Sequence, residues 1–243
     1  MYKNHLNKLL SMVLFHKEAH KTSGSDLRDF ILGFQDGLVN VLGIVLAVAV
    51  ASGDLKIILI AGLAAAFAES ISMAAVAYTA TKSEKDFYKA ELEREIWEIE
   101  NKPKEEIKEI RDIYQKKGFR GKLLNDIVKH ITSNKKLWLD TMMKEELNLI
   151  DNKNQSPLKS SIIVGISALI GSFIPLIAFL FMPITAAMIG SIIFSLIILF
   201  LVGVQKARIT TGNPIKSGLE IALIGIASAL AGYAIGLALG VVV

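Results

Sequence analysis

The chain has 243 residues, 52% of them hydrophobic, with 27 Lys and Arg against 23 Asp and Glu and no cysteine. The missing cysteines exclude disulfides and thiolate metal sites, and a mean hydropathy of +0.48 is high for a soluble domain of this length. The sequence pI of about 9.1 would suit a nucleic-acid binder, but residues 82–155 carry 17 basic and 16 acidic side chains, so no basic face is expected and nucleic acid is not a partner.

The N-terminal stretch HLNKLLSMVLFHKEAH is too short to span a bilayer and has no small-residue cleavage site, so it is not a signal peptide. Leu6, Leu9, Leu10, Val13 and Leu14 fall at helical spacing, which predicts an amphipathic helix along the membrane surface over residues 1–28. His16 and His20 are four apart, but the acid between them is not placed as in the H-E-x-x-H zinc helix.

Five apolar runs follow, at about 30–52, 56–81, 158–181, 183–205 and 215–241. Each matches the roughly 20 residues a helix needs to cross about 30 Å of hydrocarbon. In lipid they must be helices, because open strands leave backbone groups unpaired. The expected fold is all-α: two membrane helices (29–81), a cytoplasmic helical metal-binding insert (82–156) and three more membrane helices (157–243). Basic residues flank the spans at Lys17, Lys21, Arg28, Lys206, Arg208 and Lys216, while the connections at 53–56 and 181–184 hold only Lys56. That asymmetry predicts a cytoplasmic N-terminus and insert and an external C-terminus.

On the first span Gly33, Asp36 or Gly37, Asn40, Gly43 and Ala47 recur every three or four residues, which predicts one small, polar face. Gly62, Ala65, Ala66, Glu69, Ser72, Met73 and Ala77 do the same on the second. Small residues let helices approach closely. A charged acid at mid-bilayer costs at least about 2.5–3.5 kcal/mol, so Asp36 and Glu69 need a reason. One is local capping near the interface. The other is a cation or proton pathway lined by Asp36, Asn40, Glu69 and Met73, where oxygen ligands with a thioether favour a transition metal over Ca(II).

The second span runs on into EKDFYKAELEREIWEIE, rich in strong helix formers. One helix is therefore expected to Asn101, a second from Pro103 to about Gln115, and two more at 121–132 and 134–149, capped at Ser133 or Asn134. Glu91, Glu95 and Glu98 share a face of the first, Glu106 and Glu109 are three apart on the second, and Met142, Met143 and Glu146 cluster on the last. Acidic pairs are commonly solvated faces matched by lysines. Adjacent methionines beside an acid, on helices continuous with the span carrying Glu69, point instead to a site for soft-to-borderline divalent metal.

In the last span Gly232, Gly236 and Gly240 form a repeated G-x-x-x-G, a helix-packing signal. Glu220 is either a mouth residue or an interfacial acid. No phosphate loop, G-x-S-x-G or Cys/His pattern occurs, so neither an enzyme nor a prosthetic group is expected.

The blocks RDFILGFQDGLVNVLGIVLAV, AGLAAAFAESISMAAVAYTATKSEKDFYKAELEREI, WLDTMMKEEL and ARITTGNPIKSGLEIALIGIAS resemble the vacuolar iron transporter family over about residues 26–240. The resemblance implies a five-span homodimer that exports Fe(II), often also Mn(II), from the cytosol in exchange for protons. It carries the pathway acid onto Asp36 and the pathway methionine onto Met73, and the insert ligands onto Glu95, Glu98, Glu106, Glu109, Met142, Met143 and Glu146. Plant members of that family place an acid one turn earlier on the second span, where this chain has Ala65; Glu69 is the substitute on the same face. Many prokaryotic members read G-E-Y where this chain has Val76-Ala77-Tyr78. The membrane would be vacuolar in a eukaryote and the cell membrane in a prokaryote. The competing expectation is a membrane-anchored metal buffer or sensor without flux.

Overall fold

A computed structural model describes residues 23–150, 156–210 and 212–240. The predicted surface helix over 1–28 falls mostly outside them, as do His16 and His20. The described residues are helical throughout and contain no strand: α1 (Ser23–Ser52), α2 (Leu55–Asn101), α3 (Pro103–Lys116), α4 (Gly121–Thr132), α5 (Lys135–Thr141), a single π-helical turn (Met142–Glu146), α6 (Pro157–Phe181), α7 (Ile184–Ile209) and α8 (Pro214–Leu239). Five of them, α1, α2, α6, α7 and α8, are long and apolar enough to cross a membrane.

The helix ends follow local rules. Gly53, at φ +62°, ends α1 in a conformation costly for other residues. Asp54 then caps α2, its Oδ1 accepting from the backbone N–H of Lys56 and Ile57 at 2.7 and 3.2 Å. Asn134 and Asn213 cap α5 and α8 in the same way. Pro103 stands at the first position of α3, where its missing N–H costs nothing.

Around α6 the membrane bundle is organised. That helix packs against both α1 and α2, while α8 packs on α1 and α7. Gly33 and Gly37 press on the backbone of α6: a Cβ on Gly37 would lie 2.1 Å from the Ala168 carbonyl oxygen. The last span's Gly232 and Gly236 press likewise on Gly43 and Ala47 of α1, as G-x-x-x-G predicts. The small, polar stripe expected on α1 is shared between neighbours: Gly33 and Gly37 meet α6, while Gly43 and Ala47 meet α8. Asp36 and Asn40 stand on the same stripe, seven residues before Gly43 and Ala47, and are half-buried and exposed respectively. On α2, Ile58, Gly62, Ala66 and Ala77 are buried, and Ser70 donates to the Gly165 carbonyl at 2.6 Å.

Connectivity places the N-terminus of α1, the C-terminus of α7 and the N-terminus of α8 at the end of the bundle from which the insert rises. An ion pair between Lys159 and Asp26 at 2.6 Å joins α6 to α1 there. The insert has its own apolar core of Ile99, Ile110, Leu124, Val128, Ile131, Trp138 and Met142.

One element departs from expectation. The helix predicted over 134–149 is α-helical only to Thr141 and then widens into the π turn, closed by Leu147 N–H to the Met142 carbonyl at 3.2 Å. Widening the turn allows the adjacent Met142 and Met143 both to be buried.

Candidate metal centre and membrane acids

Three carboxylates from three elements converge in the insert. Glu95 of α2, Glu106 of α3 and Glu146 of the π turn each bring an oxygen within 4.8 Å of the others. Glu95 is 1% exposed and Glu106 4%, and Glu146 closes the group from the exposed side. The Oε2 atoms of Glu95 and Glu106 are buried without a hydrogen-bond partner. A buried carboxylate oxygen lacking a donor is costly, and a cation among the three would satisfy both atoms at once.

Electrostatics agree. Burial first, then repulsion from Glu109 and its neighbours, pushes Glu106 up to about 7. Glu146 is raised to about 7 by burial and by Glu109, which also hydrogen-bonds it. Glu95 is raised by burial and then by Glu98. Three acids held above their ordinary range by burial first and then by neighbouring carboxylates form a site that a divalent ion would discharge.

The remaining predicted ligands are less uniform. Glu109 joins the group through Glu146. Glu98 stands in electrostatic range and is paired with Arg94, which also holds Glu91; the distances are 3.5 and 3.1 Å. Met143 is buried, and Met142 packs within the apolar core of the insert, so its first task is structural. Sequence reasoning passed over Arg94, and also Lys117, which pairs with Glu145 across the π turn. Charge spacing alone offers no signal for Lys117, whose partner is 28 residues away.

In the membrane bundle, Asp36 of α1 and Glu69 of α2 lie close enough for their carboxyls to interact. Asp36 also lines a groove of about 480 Å³ with Arg28, Gln35 and Lys206. Glu69 is not among that groove's walls and reaches it only through Asp36. Among the described residues Asn40 and Met73 make no side-chain hydrogen bond to either acid; Asn40 is exposed one turn beyond Asp36, and Met73 half-buried one turn beyond Glu69. Glu220 lines a separate groove with Lys216 and Asn213. Asp29 was not foreseen: it is buried near the start of α1, 3.3 Å from the Arg28 guanidinium.

A family model, described as the VIT family, matches residues 27–237. The chain belongs to the VIT family. Named relatives include a vacuolar iron transporter of Centaurea cyanus, 39% identical over 218 residues, 89% of this chain and 89% of the relative. Vacuolar iron transporter 1 of Eucalyptus grandis is 38% identical, covering 89% and 88%. A vacuolar iron transporter of Plasmodium falciparum is 33% identical over 92% of this chain and 86% of its own. The insert of this VIT-family chain and all but the outermost few residues of its membrane helices lie inside the matched region, and with five spans it is a multi-pass membrane protein.

Proposed function

We propose that the protein is a secondary transporter that moves Fe(II), Mn(II) or both out of the cytosol in exchange for protons, working as a homodimer. The observation that carries the reading is the meeting of Asp36 and Glu69 between two membrane-crossing helices. The iron in the printed names of the relatives supports the choice of cargo.

In this reading the insert faces the cytosol and gathers the ion between Glu95, Glu106 and Glu146, with Glu98, Glu109 and the methionines completing the ligand set. Helix α2 carries both Glu69 and Glu95, 26 residues apart, so about 39 Å separates the collecting site from the membrane acids along one helix. Two carboxyls in contact repel when both are charged. A proton between them or a cation between them relieves that repulsion, and trading one for the other is the exchange step. Asp36 and Asn40 lie on a side of α1 left partly open by the rest of the bundle, so a second copy would pair the acids across the dimer axis. Met73, one turn along α2, supplies the thioether.

Asp36→Asn tests the reading: it should abolish metal uptake into proteoliposomes while leaving metal binding to the insert intact. Flux at the level of the unmodified protein would remove the pathway. A buffer or sensor would need the insert's cluster alone and gives the Asp36 and Glu69 pair no role.

A further inference from the structure

Glu95 and Glu106 stand on regular α-helix, but Glu146 is the last residue of the π turn. Such widened turns are rare and concentrate at functional sites. Whatever holds this one in shape decides where Glu146 stands. On its inner side Met142 enters the apolar core of the insert, and Met143 is buried beside it. At its end the Leu147 and Leu149 N–H groups donate to the Met142 and Met143 carbonyls at 3.2 and 2.7 Å. Asn148 lies between them at φ +53°, a left-handed conformation that Asn adopts more readily than most residues. Its outer side, Lys144 to Glu146, is exposed. There the turn is tied to another element by the ion pair of Glu145 with Lys117; among the described residues no other ion pair reaches it.

Lys117 is itself well anchored. It follows directly on α3, its N–H bonded to the Ile113 carbonyl at 3.1 Å. Its ammonium lies 5.3 Å from the centroid of the Tyr114 ring, within cation–π range, and Tyr114 packs on the insert's core. One helix, α3, thus carries a cluster acid, Glu106, and runs directly into the residue that grips the turn. We propose that Lys117 is a positioning residue of the metal centre: by holding Glu145 it fixes the π turn so that the next residue, Glu146, stays in reach of Glu95 and Glu106. The inference rests on the reading of these three acids as a divalent-metal site. The charge of Lys117 acts in the opposite direction. A cation beside three acids disfavours a divalent ion, so its removal would tighten binding if field were all that mattered; with Lys117 exposed, salt screens that field. Positioning and field therefore predict opposite signs.

Mn(II) titration of the full-length protein in detergent, by calorimetry at pH 7.5, reads the sign. Lys117→Met should weaken binding about three- to tenfold, the scale of an exposed ion pair together with a ring contact. Amide exchange over 142–149 should quicken while that of α4 stays unchanged. Lys117→Arg, and the reversed pair Lys117→Glu/Glu145→Lys, should bring affinity back to within about twofold of the unmodified protein. Unchanged or tighter binding in Lys117→Met would overturn the positioning role, even if the reversed pair did not fold. So would a folded reversed pair that binds as weakly as Lys117→Met. Glu106→Gln separates the two levels. If it binds Mn(II) as the unmodified protein does, the cluster is not the metal site and this inference falls with it. If it loses binding while Lys117→Met does not, the cluster stands and the role of Lys117 alone fails.

Discussion

Glu95 on α2 and Glu106 on α3 bury their Oε2 atoms in one pocket, and neither atom meets a donor. With Glu146 on the π turn they form a group whose charge the protein itself does not balance. What the insert does with pH and with metal follows from that imbalance.

Metal must displace protons from Glu106 and Glu146, each raised to about 7. Two such groups are largely deprotonated at pH 7.5 and largely protonated at pH 6. Mn(II) affinity of the full-length protein should therefore fall by roughly 10- to 100-fold over that interval, with proton release on binding. Calorimetric titration in buffers of different ionisation enthalpy checks this. Affinity that does not change with pH would place the metal elsewhere.

The same shifts set the stability of the metal-free protein. A carboxyl raised from its ordinary 4.5 to about 7 when folded binds more protons in the folded than in the unfolded state between those values. Stability therefore falls as pH rises from 4.5 through 7 and stays low above it. Glu106→Gln should stabilise the metal-free protein at pH 8 by about 1–3 kcal/mol, the cost of a buried unsatisfied group, and have little effect at pH 4.5. Thermal unfolding with chelator at both pH values measures it; destabilisation at pH 8 would mean that Glu106 has a donor.

Arg94 pairs with Glu98 and Glu91 beside the cluster. Arg94→Gln frees Glu98 and removes a nearby positive charge, so Mn(II) binding should strengthen by about two- to fivefold, the scale of an exposed ion pair. Salt should erase the gain. Weaker binding would show that Arg94 supports the site.

Close helix approach gives a separate test. A side chain on Gly37 would meet the Ala168 carbonyl oxygen, and one on Gly232 the Gly43 carbonyl oxygen, both at 2.1 Å, while nothing lies within 4 Å of Gly24. Backbone cannot yield as a rotamer can. Gly37→Val and Gly232→Val should each cost about 3 kcal/mol or more and lower Tm in detergent, whereas Gly24→Ala should be neutral. An unchanged Tm for Gly37→Val would contradict the packing of α1 on α6.

The sequence made the five spans legible because hydropathy, Gly53-Asp54, Pro103 and Asn134 act locally. The run of α2 from membrane into insert was equally plain, since no breaker lies between Gly62 and Pro103. Helical spacing grouped Glu95 with Glu91 and Glu98, Glu106 with Glu109, and Glu146 with Met142 and Met143, but carried no sign of which of them converge. What spacing does not carry is the identity of the neighbours: the small stripe of α1 is shared, Gly33 and Gly37 meeting α6 and Gly43 and Ala47 meeting α8. The π turn was hidden because its widened hydrogen bonding depends on Met142 entering a core assembled from α2, α3 and α4. Asp29 was hidden for a similar reason: its burial comes from tertiary packing, which no spacing along α1 reports.

The pairing of Asp36 with Glu69 is the centre of the transport account, and vesicle uptake addresses it most directly. Purified protein, Asp36→Asn and Glu69→Gln would be reconstituted and Fe(II) or Mn(II) uptake followed at two opposing proton gradients. The account predicts gradient-dependent uptake by the unmodified protein, almost none by Asp36→Asn, and lost gradient dependence in Glu69→Gln, with metal binding by the insert unchanged in both variants. Full, gradient-dependent uptake by Asp36→Asn would contradict it.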